Sequence, residues 1–255
     1  MLVLAVATSL VGATEAEDLA REAEVYESRG QWSQAAAVYQ EILEHDPTNA
    51  SVHYRLGAVR ESLGATELAV REYREAIRLD PGLIDARRAL EGQYVAKGML
   101  ARAAGRSDEA LAAFTQAVEA NPSSVSARLE LASELERQGQ KDRALESYRE
   151  ASRLAPASAT PHLRMGGLYA ARQAHDQAAR ELEEAVRLDP ENAQAERELG
   201  ESYAALGQPD RALAAFERAV RLYLLAGALD QAAAVEVLER QVRSKGSVSR
   251  RKAAP

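Results

Sequence analysis

The sequence contains no cysteine, which excludes disulfide bonds, thiolate metal sites and cysteine nucleophiles. Aromatic residues make up only 5% of the chain and proline occurs at eight positions, whereas Ala, Glu, Arg and Leu dominate. No stretch alternates apolar and polar residues in the manner of a β-strand. Strong helix formers fill almost every window, so the composition predicts an all-α fold.

The charge balance argues against a nucleic-acid-binding surface. The net charge is −7, and neutralising phosphates requires a basic face. The one basic stretch is residues 243–255, "RSKGSVSRRKAAP", which contains five Lys or Arg and no acid. Its Ser, Gly and Lys content predicts a disordered tail, with attraction of this tail to an anionic surface as the alternative.

The N-terminus carries a short apolar run, residues 1–13, "MLVLAVATSLVGA". Its small residues at Val11-Gly12-Ala13 have the spacing of a signal-peptidase site, and the run is too short to be a permanent membrane span. The first basic residue is Arg21, so the usual basic n-region is missing. We expect an export signal and a periplasmic or secreted protein, with no other membrane association. The alternatives are a packed N-terminal capping helix and a cytoplasmic location.

A periodic pattern runs through the remainder of the chain. Prolines that follow Asp, Asn or Ala recur at an even spacing, apart from one longer gap between Pro81 and Pro122, and a constant spacing in this range indicates a stacked helical array. These prolines are Pro47, Pro81, Pro122, Pro156 and Pro190. Aligning them brings alanines, ring-bearing or aliphatic residues, Leu-Gly pairs and turn glycines into register.

The pattern resembles the tetratricopeptide repeat (TPR) family over about residues 16–226. Six units fit, namely 16–49, 50–83, 84–124, 125–158, 159–192 and 193–226. The resemblance implies a right-handed α-solenoid of six helix-turn-helix repeats that acts as a non-catalytic protein-interaction scaffold. Residues 228–242 lack a preceding proline stop and are expected to form a C-terminal capping helix, with the chain broken or kinked near Gly227.

The third unit contains seven extra residues, Met99 to Gly105. Gly98 is in register with the turn glycines before it and Gly105 with those after it. Either the first helix of this unit runs through Gly98 to a turn at Gly105, or the turn lies at Gly98 and residues 99–104 form a loop. Because "MLARAA" consists of strong helix formers, the long helix is favoured. Glu91 replaces the expected Gly or Ala, which predicts looser packing in this unit.

No catalytic pattern is present in the sequence. There is no nucleophile elbow, phosphate-binding glycine loop or calcium loop, and none of the four histidines has a His partner four residues away. The Asp and Glu residues are interleaved with Arg, as on solvated helix surfaces. We therefore expect no enzymatic activity, no metal and no cofactor.

A groove lined by the first helices of the units is the expected binding surface. By repeat position its predicted partner-binding residues are Tyr54, Arg55, Arg88, Leu129, Leu163, Arg164 and Arg197. The four arginines favour an acidic partner segment, because guanidinium groups bind carboxylates in bidentate fashion. The alternative is a solvated face whose arginines pair with neighbouring glutamates.

Two further hypotheses concern the partner. Met99 and Leu100 form a possible edge contact at the end of a protruding helix, for a partner or for self-association; alternatively, they cover the adjacent repeat. We expect a protein partner that binds as a peptide or helix, in an envelope or secretion assembly. The alternative function is a regulatory or substrate-presenting subunit of an enzyme on another chain.

Overall fold

The computed structural model describes the backbone of residues 16–252 and the side chains of residues 16–244. The predicted export segment, residues 1–13, lies outside the described residues. All regular structure in the described range is α-helical, so the all-α prediction is confirmed there. The helices are α1 (16–28), α2 (Trp32–His45), α3 (Ala50–Ser62), α4 (Thr66–Leu79), α5 (Ile84–Ala103), α6 (Ser107–Ala120), α7 (Val125–Arg137), α8 (Lys141–Leu154), α9 (Ala159–Ala170), α10 (His175–Leu188), α11 (Ala193–Ala205), α12 (Pro209–Leu225) and α13 (Leu229–Lys252).

The helices belong to two compact units. Unit 1 ends at Ala127 and unit 2 begins at Arg128, so the boundary falls within α7. From α1 to α12 each odd-numbered helix packs against the even-numbered helix that follows it, and α13 packs against α12. In each pair the odd-numbered helix is called the first helix and the even-numbered helix is called the second helix.

Each pair is closed by a small residue on the first helix and a large residue on the second. The large side chain lies sixteen residues after the small one in every pair. The pairs are Ala23–Tyr39, Gly57–Tyr73, Gly98–Phe114, Ala132–Tyr148, Gly166–Leu182 and Gly200–Phe216. In the four glycine pairs a Cβ on the glycine would lie within 2.6 Å of the facing side chain. The helices therefore pack closely because the glycine has no side chain.

The turns between paired helices require a residue with positive φ. Gly30, Gly64, Gly105, Gly139 and Gly207 have φ between 69° and 74° at this place. The turn of the fifth pair has Gln173 instead, with φ 60°, and it is the one non-glycine residue with positive φ in the described backbone. The predicted turn glycines are thus in the expected conformation, and the substitution at Gln173 leaves the turn geometry unchanged.

The long-helix alternative for the third unit is the one that the structure adopts. α5 runs unbroken for 20 residues through Gly98, and Gly105 forms the turn. The expectation of loose packing at Glu91 is wrong, because Gly98 takes the place of the small residue against Phe114. Glu91 instead accepts hydrogen bonds from Asn121 Nδ2 (2.6 Å) and from Ser124 Oγ. Glu91 thereby holds the loop that follows α6.

The extra two turns of α5 displace the third pair relative to the second. Tyr94 lies under Arg74 of α4, and Gln116 of α6 lines the same small cavity. In unit 2 the repeat equivalent of Arg74 is Arg149, and the residue of the next second helix beside it is Gln177. The repeat position of Gln177 is seven residues before that of Gln116. Seven helical residues correspond to about 10 Å. The α5–α6 turn therefore extends about two helical turns past the α3–α4 turn.

The C-terminal region differs from its prediction in length. α12 ends at Leu225, Gly227 has φ 71°, and α13 begins at Leu229, so the break near Gly227 is present. α13 then continues to Lys252, although a disordered tail was expected from residue 243. At residue 243, where the tail was expected to begin, the Arg243 guanidinium bonds Glu239 one turn earlier and Glu217 of α12 (3.0 Å). Arg243 therefore belongs to the packed part of α13.

Candidate functional site: the first-helix faces

The predicted groove residues lie on first helices in both units. Tyr54 and Arg55 are on α3 and Arg88 is on α5, all in unit 1. In unit 2 the corresponding residues are Leu129 on α7, Leu163 and Arg164 on α9, and Arg197 on α11. Within each unit neighbouring first helices are in contact, α3 with α5 and α9 with α11. We refer to these surfaces as the first-helix faces.

The first-helix face of unit 1 neutralises one of its two predicted arginines. Arg55 has Nη2 at 3.6 Å from Glu24 and Nη1 at 3.7 Å from Glu27, both on α1. Glu27 in addition accepts a hydrogen bond of 2.5 Å from the Tyr39 hydroxyl. The charge of Arg55 is therefore paired with two glutamates of its own chain. This is the arrangement expected if the arginines pair with neighbouring glutamates.

Tyr54 contributes to the core as well as to this face. Its ring centroid lies 6.0 Å from that of Tyr73, with the planes tilted by 37°. It packs as a partly buried residue against the cluster that includes Leu90. A partner on this face would therefore contact the edge of Tyr54 and not a free-standing ring.

Arg88 is the second predicted arginine of this face, and it has no ion pair within the described chain. It is exposed on α5, and among the described residues no carboxylate forms an ion pair with it. Its neighbour Arg87 points elsewhere, because its guanidinium donates to the Pro81 carbonyl (2.8 Å) and the Ala120 carbonyl (3.2 Å). An arginine with unused N–H donors at the surface is suited to bind an external carboxylate or carbonyl group.

The first-helix face of unit 2 has a more elaborate charge network on α11. Arg197 lies between two glutamates, with Nη1 at 2.6 Å from Glu201 and Nη2 at 3.4 Å from Glu198. Burial raises the pKa of the Glu198 carboxyl, and the hydrogen bond from Gln194 and the charge of Arg197 oppose this rise. Arg197 is thus satisfied internally.

Gly167 of α9 lies beside this network. A Cβ at Gly167 would lie 3.5 Å from Oε2 of Glu198, an ordinary contact distance, so the carboxyl of Glu198 lies close to α9. Sequence reasoning missed Gly167 and Glu198. The signal was present, because Gly166-Gly167 is a double glycine where the pattern requires one small residue.

Arg164 is a predicted arginine of the first-helix face of unit 2 that has no ion pair within the described residues. It is exposed on α9, and in the part of the chain that the structure describes no acid forms an ion pair with it. Its charge still acts at a distance, since it lowers the pKa of both Tyr148 and Glu198, although burial of each group raises that pKa more. Leu163 beside it and Leu129 on α7 are half-buried. Arg164 therefore has an apolar neighbour on the same helix.

The possible edge contact lies at the displaced third pair. Met99 is 47% exposed and Leu100 is 70% exposed, so neither side chain is covered by the described part of unit 1. They stand on the last turns of α5, which extend past the α3–α4 turn. This position is compatible with contact to another molecule, and the role of the two residues stays a prediction.

The second helices form cavities of their own. A cavity of about 570 Å³ in unit 2 lies between α8 and α10, with Tyr169 of α9 among its lining residues. A smaller one of about 240 Å³ in unit 1 lies between α4 and α6, beside Tyr94. Neither was predicted from the sequence.

The described residues contain neither a metal centre nor a membrane span. No cluster of three or more His, Cys, Asp or Glu side chains has the arrangement of a metal site there. In the same residues no helix has both the length and the apolar character required to cross a bilayer. His53 and His162, which occupy equivalent repeat positions, each bond a glutamate of the second helix, Glu72 (2.6 Å) and Glu181 (2.8 Å).

Two protein-family models match the chain. The model described as tetratricopeptide repeat matches residues 95–159 and 163–223. The model described as the EMC2 TPR-like repeat domain matches residues 1–118. The matches therefore include helices of both units.

Curated relatives match over shorter stretches. The chain is 32% identical over 114 residues to photosystem I assembly protein Ycf3 of Rippkaea orientalis, which covers 41% of this chain and 66% of that protein. It is 41% identical over 56 residues to a protein O-mannosyl-transferase of Caenorhabditis elegans, which covers 22% of this chain and 8% of that protein. The chain thus spans less than two thirds of either relative.

Solved structures of repeat proteins resemble this fold. YrrB, a TPR protein with an unusual peptide-binding site, superposes with a TM-score of 0.55 at 21% identity, covering 79% of this chain and 98% of YrrB. Yeast Tom70 gives a TM-score of 0.53 at 21% identity, covering 87% of this chain and 47% of Tom70. The likeness concerns the fold, and it confirms the predicted all-α solenoid of TPR-type repeats.

Proposed function

The chain belongs to the tetratricopeptide repeat family, and from this we propose that it is a non-catalytic scaffold that binds a protein partner on its first-helix faces. The observation that carries the proposal is that only two of the four predicted arginines form ion pairs within the described chain. Arg55 and Arg197 are paired with glutamates of the chain, whereas Arg88 and Arg164 are exposed without such a pair among the described residues. Open arginines, of which Arg164 adjoins the half-buried Leu163, favour a peptide or helix with both acidic and apolar residues.

The acidic partner is supported by charge reasoning within an acidic chain. With a net charge of −7, the chain repels acidic proteins in general. Binding an acidic segment therefore requires local positive groups that are not already neutralised. Arg88 in unit 1 and Arg164 in unit 2 are such groups. Of the four arginines predicted to bind an acidic segment, we therefore propose these two as the binding residues.

The test is affinity capture from the source cells with three full-length baits. The first is the unchanged chain, and the second carries Arg88→Glu and Arg164→Glu. The third is a matched control with Arg78→Glu and Arg187→Glu, two exposed arginines on second helices that pair with Glu75 and Glu184. Circular dichroism first establishes equal helicity of the three chains.

The expected result is a protein retained by the unchanged chain and by the control and lost by the second bait. Equal retention by all three would show that the first-helix arginines do not bind the partner. Attention would then move to Met99 and Leu100, tested by changing both residues to Ser.

A second candidate function is a module that serves an enzyme on another chain. The similarity to part of a protein O-mannosyl-transferase is the observation that favours it. In this case the captured partner would itself be an enzyme, and its turnover would change when the chain is added. Turnover by the chain alone would contradict both candidates.

The setting of the function is proposed from the N-terminal sequence. Residues 1–13 combine an apolar run with small residues at signal-peptidase spacing, which supports export to the periplasm or the exterior and action in an envelope or secretion assembly. N-terminal sequencing of the protein purified from its source would begin at Thr14 if the segment is removed. A retained Met1 together with cytoplasmic fractionation would contradict export.

A further inference from the structure

The cavity between α8 and α10 of unit 2 is lined by hydrogen-bond donors that the chain leaves incompletely used. It has a volume of about 570 Å³, within the range of roughly 300–1,000 Å³ typical of ligand sites. Tyr169 lines it while only 7% exposed, and Arg149 of α8 donates from Nη2 to the Tyr169 hydroxyl oxygen at 2.5 Å. The Tyr169 O–H proton and the other guanidinium N–H groups of Arg149 remain available for an acceptor.

The next repeat pair shows what completes such an arrangement. Tyr203 occupies the position of Tyr169 one repeat later, and its hydroxyl donates to Oε1 of Glu183 on α10 at 2.5 Å. Arg211 of α12 donates to the same carboxylate oxygen at 2.9 Å and also to the Tyr203 hydroxyl. Its guanidinium carbon lies 3.9 Å from the centroid of the Tyr203 ring. Phenol, guanidinium and carboxylate thus satisfy one another.

The equivalent positions around Tyr169 have different residues. One repeat earlier in the chain, Arg149 occupies the position of Glu183 and Gln177 occupies the position of Arg211. Around Tyr203 the arginine is on the second helix that follows the tyrosine, whereas around Tyr169 it is on the second helix that precedes it. Neither of the two positions around Tyr169 holds a carboxylate. Tyr169 and Arg149 reproduce the two donors of the completed arrangement without its acceptor.

The carboxylates of Asp142 and Glu150, which line the same cavity, do not serve as this acceptor. Arg153 bonds Glu150, and Arg172 bonds Asp142 at 2.7 Å, so these pairs are closed. Among the described residues no carboxylate forms an ion pair with Arg149. A buried phenol beside an unpaired guanidinium is a setting in which an added carboxylate gains charge-assisted hydrogen bonds.

We propose that this cavity binds the carboxylate of an aspartate or glutamate side chain in a segment of a partner protein, held by Arg149 and Tyr169. Glu146 lines the same cavity and offers acceptor oxygens to the amide N–H groups of a chain that continues on both sides of the acidic residue. The site lies on the second-helix face of unit 2. It is independent of the first-helix faces, and each can fail without the other.

The test uses short probes and NMR of the full chain. The first probe is the tripeptide Ala-Glu-Ala with an acetylated N-terminus and an amidated C-terminus, and its neutral counterpart is Ala-Gln-Ala with the same caps. The third probe is acetylated Ala-Ala-Ala with a free C-terminal carboxylate. Signals of the Arg149 side-chain N–H and of the Ala174 and Gln177 amides report on the cavity.

We expect saturable shifts of these signals with the Glu peptide and none with the Gln peptide. Arg149→Gln should weaken binding about tenfold, the equivalent of one charge-assisted hydrogen bond, and Tyr169→Phe by a smaller factor. Arg187→Gln on α10, an exposed arginine whose partner is Glu184, is the matched control and should leave binding unchanged. Equal binding of both peptides, no saturable binding, or full affinity in Arg149→Gln would each overturn the proposal.

A second variant closes the site from within. Arg149→Glu combined with Gln177→Arg gives the cavity the residues found around Tyr203. We expect this double variant to remain folded, with no loss in melting temperature, and to bind none of the probes. Continued binding of the Glu peptide by the folded double variant would contradict the proposed site. Tighter binding of the free C-terminal carboxylate than of the Glu side chain would assign the site to chain ends instead.

Discussion

Phe114 of α6 packs its ring against the bare backbone of Gly98 on α5, so closely that a Cβ at Gly98 would lie 2.6 Å from Cε1 of the ring. This contact sets the position of the third helix pair. The same relation joins Gly57 to Tyr73 in the second pair. Gly98 is therefore a packing residue of its own pair, although in sequence it aligns with the turn glycines before it.

The Gly98→Ala variant should lose stability because Phe114 cannot move away within a closed pair. We expect a loss of about 1–3 kcal/mol, as for overpacking of a core. Gly92 is the matched control on the same helix, since a Cβ there would meet nothing within 4 Å. Gly92→Ala should gain about 0.5–1 kcal/mol from helix propensity. Urea unfolding measures both, and a gain in both variants would show that the Gly98 contact is not tight.

Gln173 should be a source of strain in the α9–α10 turn. Its φ of 60° lies in the left-handed region, which costs a residue with a side chain roughly 1–2 kcal/mol. Gln173→Gly is therefore expected to raise the melting temperature, and Gly139→Gln, at the equivalent turn with φ 74°, to lower it. Thermal unfolding followed by circular dichroism compares the two. A lower melting temperature for Gln173→Gly would mean that its side chain stabilises the turn.

Prediction from the sequence worked where the repeat period was unbroken and failed where two registers overlap. The turn at Gly105 and the long α5 followed from counting positions and from helix propensity. The packing role of Gly98 did not, because counting forward from Pro81 and backward from Pro122 gives it two different places. Only the contact with Phe114 decides between them.

The candidate site was partly predictable for a similar reason. Repeat position placed the four arginines on first helices, as found. Arg197 pairs with Glu201 four residues later on its own helix, a contact that i, i+4 spacing indicates. Arg55 instead pairs with Glu24 and Glu27, about one repeat away. The pairing of Arg55 depends on how neighbouring helix pairs pack and cannot be obtained from the spacing within a single helix.

The free energy of unfolding should fall at high pH, and Tyr203 should account for part of this fall. Burial raises the pKa of Tyr203 to about 12, the hydrogen bond to Glu183 adds to this, and the charge of Arg211 opposes it. A tyrosine in the unfolded chain ionises near pH ~10. The contribution is therefore fully present below pH ~10 and is lost as the pH rises towards 12.

The Tyr203→Phe variant tests this assignment. Between pH ~10 and 12 its free energy of unfolding should fall less steeply than that of the unchanged chain, because one fewer phenol ionises on unfolding. Denaturant melts across this range provide the measurement. Identical slopes would show that Tyr203 ionises equally in both states. The remaining slope belongs in part to Tyr39, Tyr73 and Tyr148, whose pKa values are also raised by burial.

The displaced third pair should be returned to the ordinary register by removing seven residues of α5. Deleting residues 91–97 joins Leu90 directly to Gly98, which recreates the Leu56-Gly57 order of α3. Seven residues correspond to two helical turns within roughly 20°, so Gly98 continues to face Phe114. The shortened chain loses Tyr94 and the Glu91 bonds to the following loop. We expect it to fold with a proportionate loss of helicity and a lower melting temperature.

The matched control removes five residues, 91–95. This deletion turns the rest of α5 by about 140°, which carries Gly98 away from Phe114 while taking out less of the chain. It should abolish cooperative folding of the third pair, whereas the seven-residue deletion retains it. Hydrogen exchange of the α6 amides distinguishes the two, because protection depends on a closed pair. Equal protection of α6 in both shortened chains would show that the Gly98–Phe114 contact does not set the position of the pair.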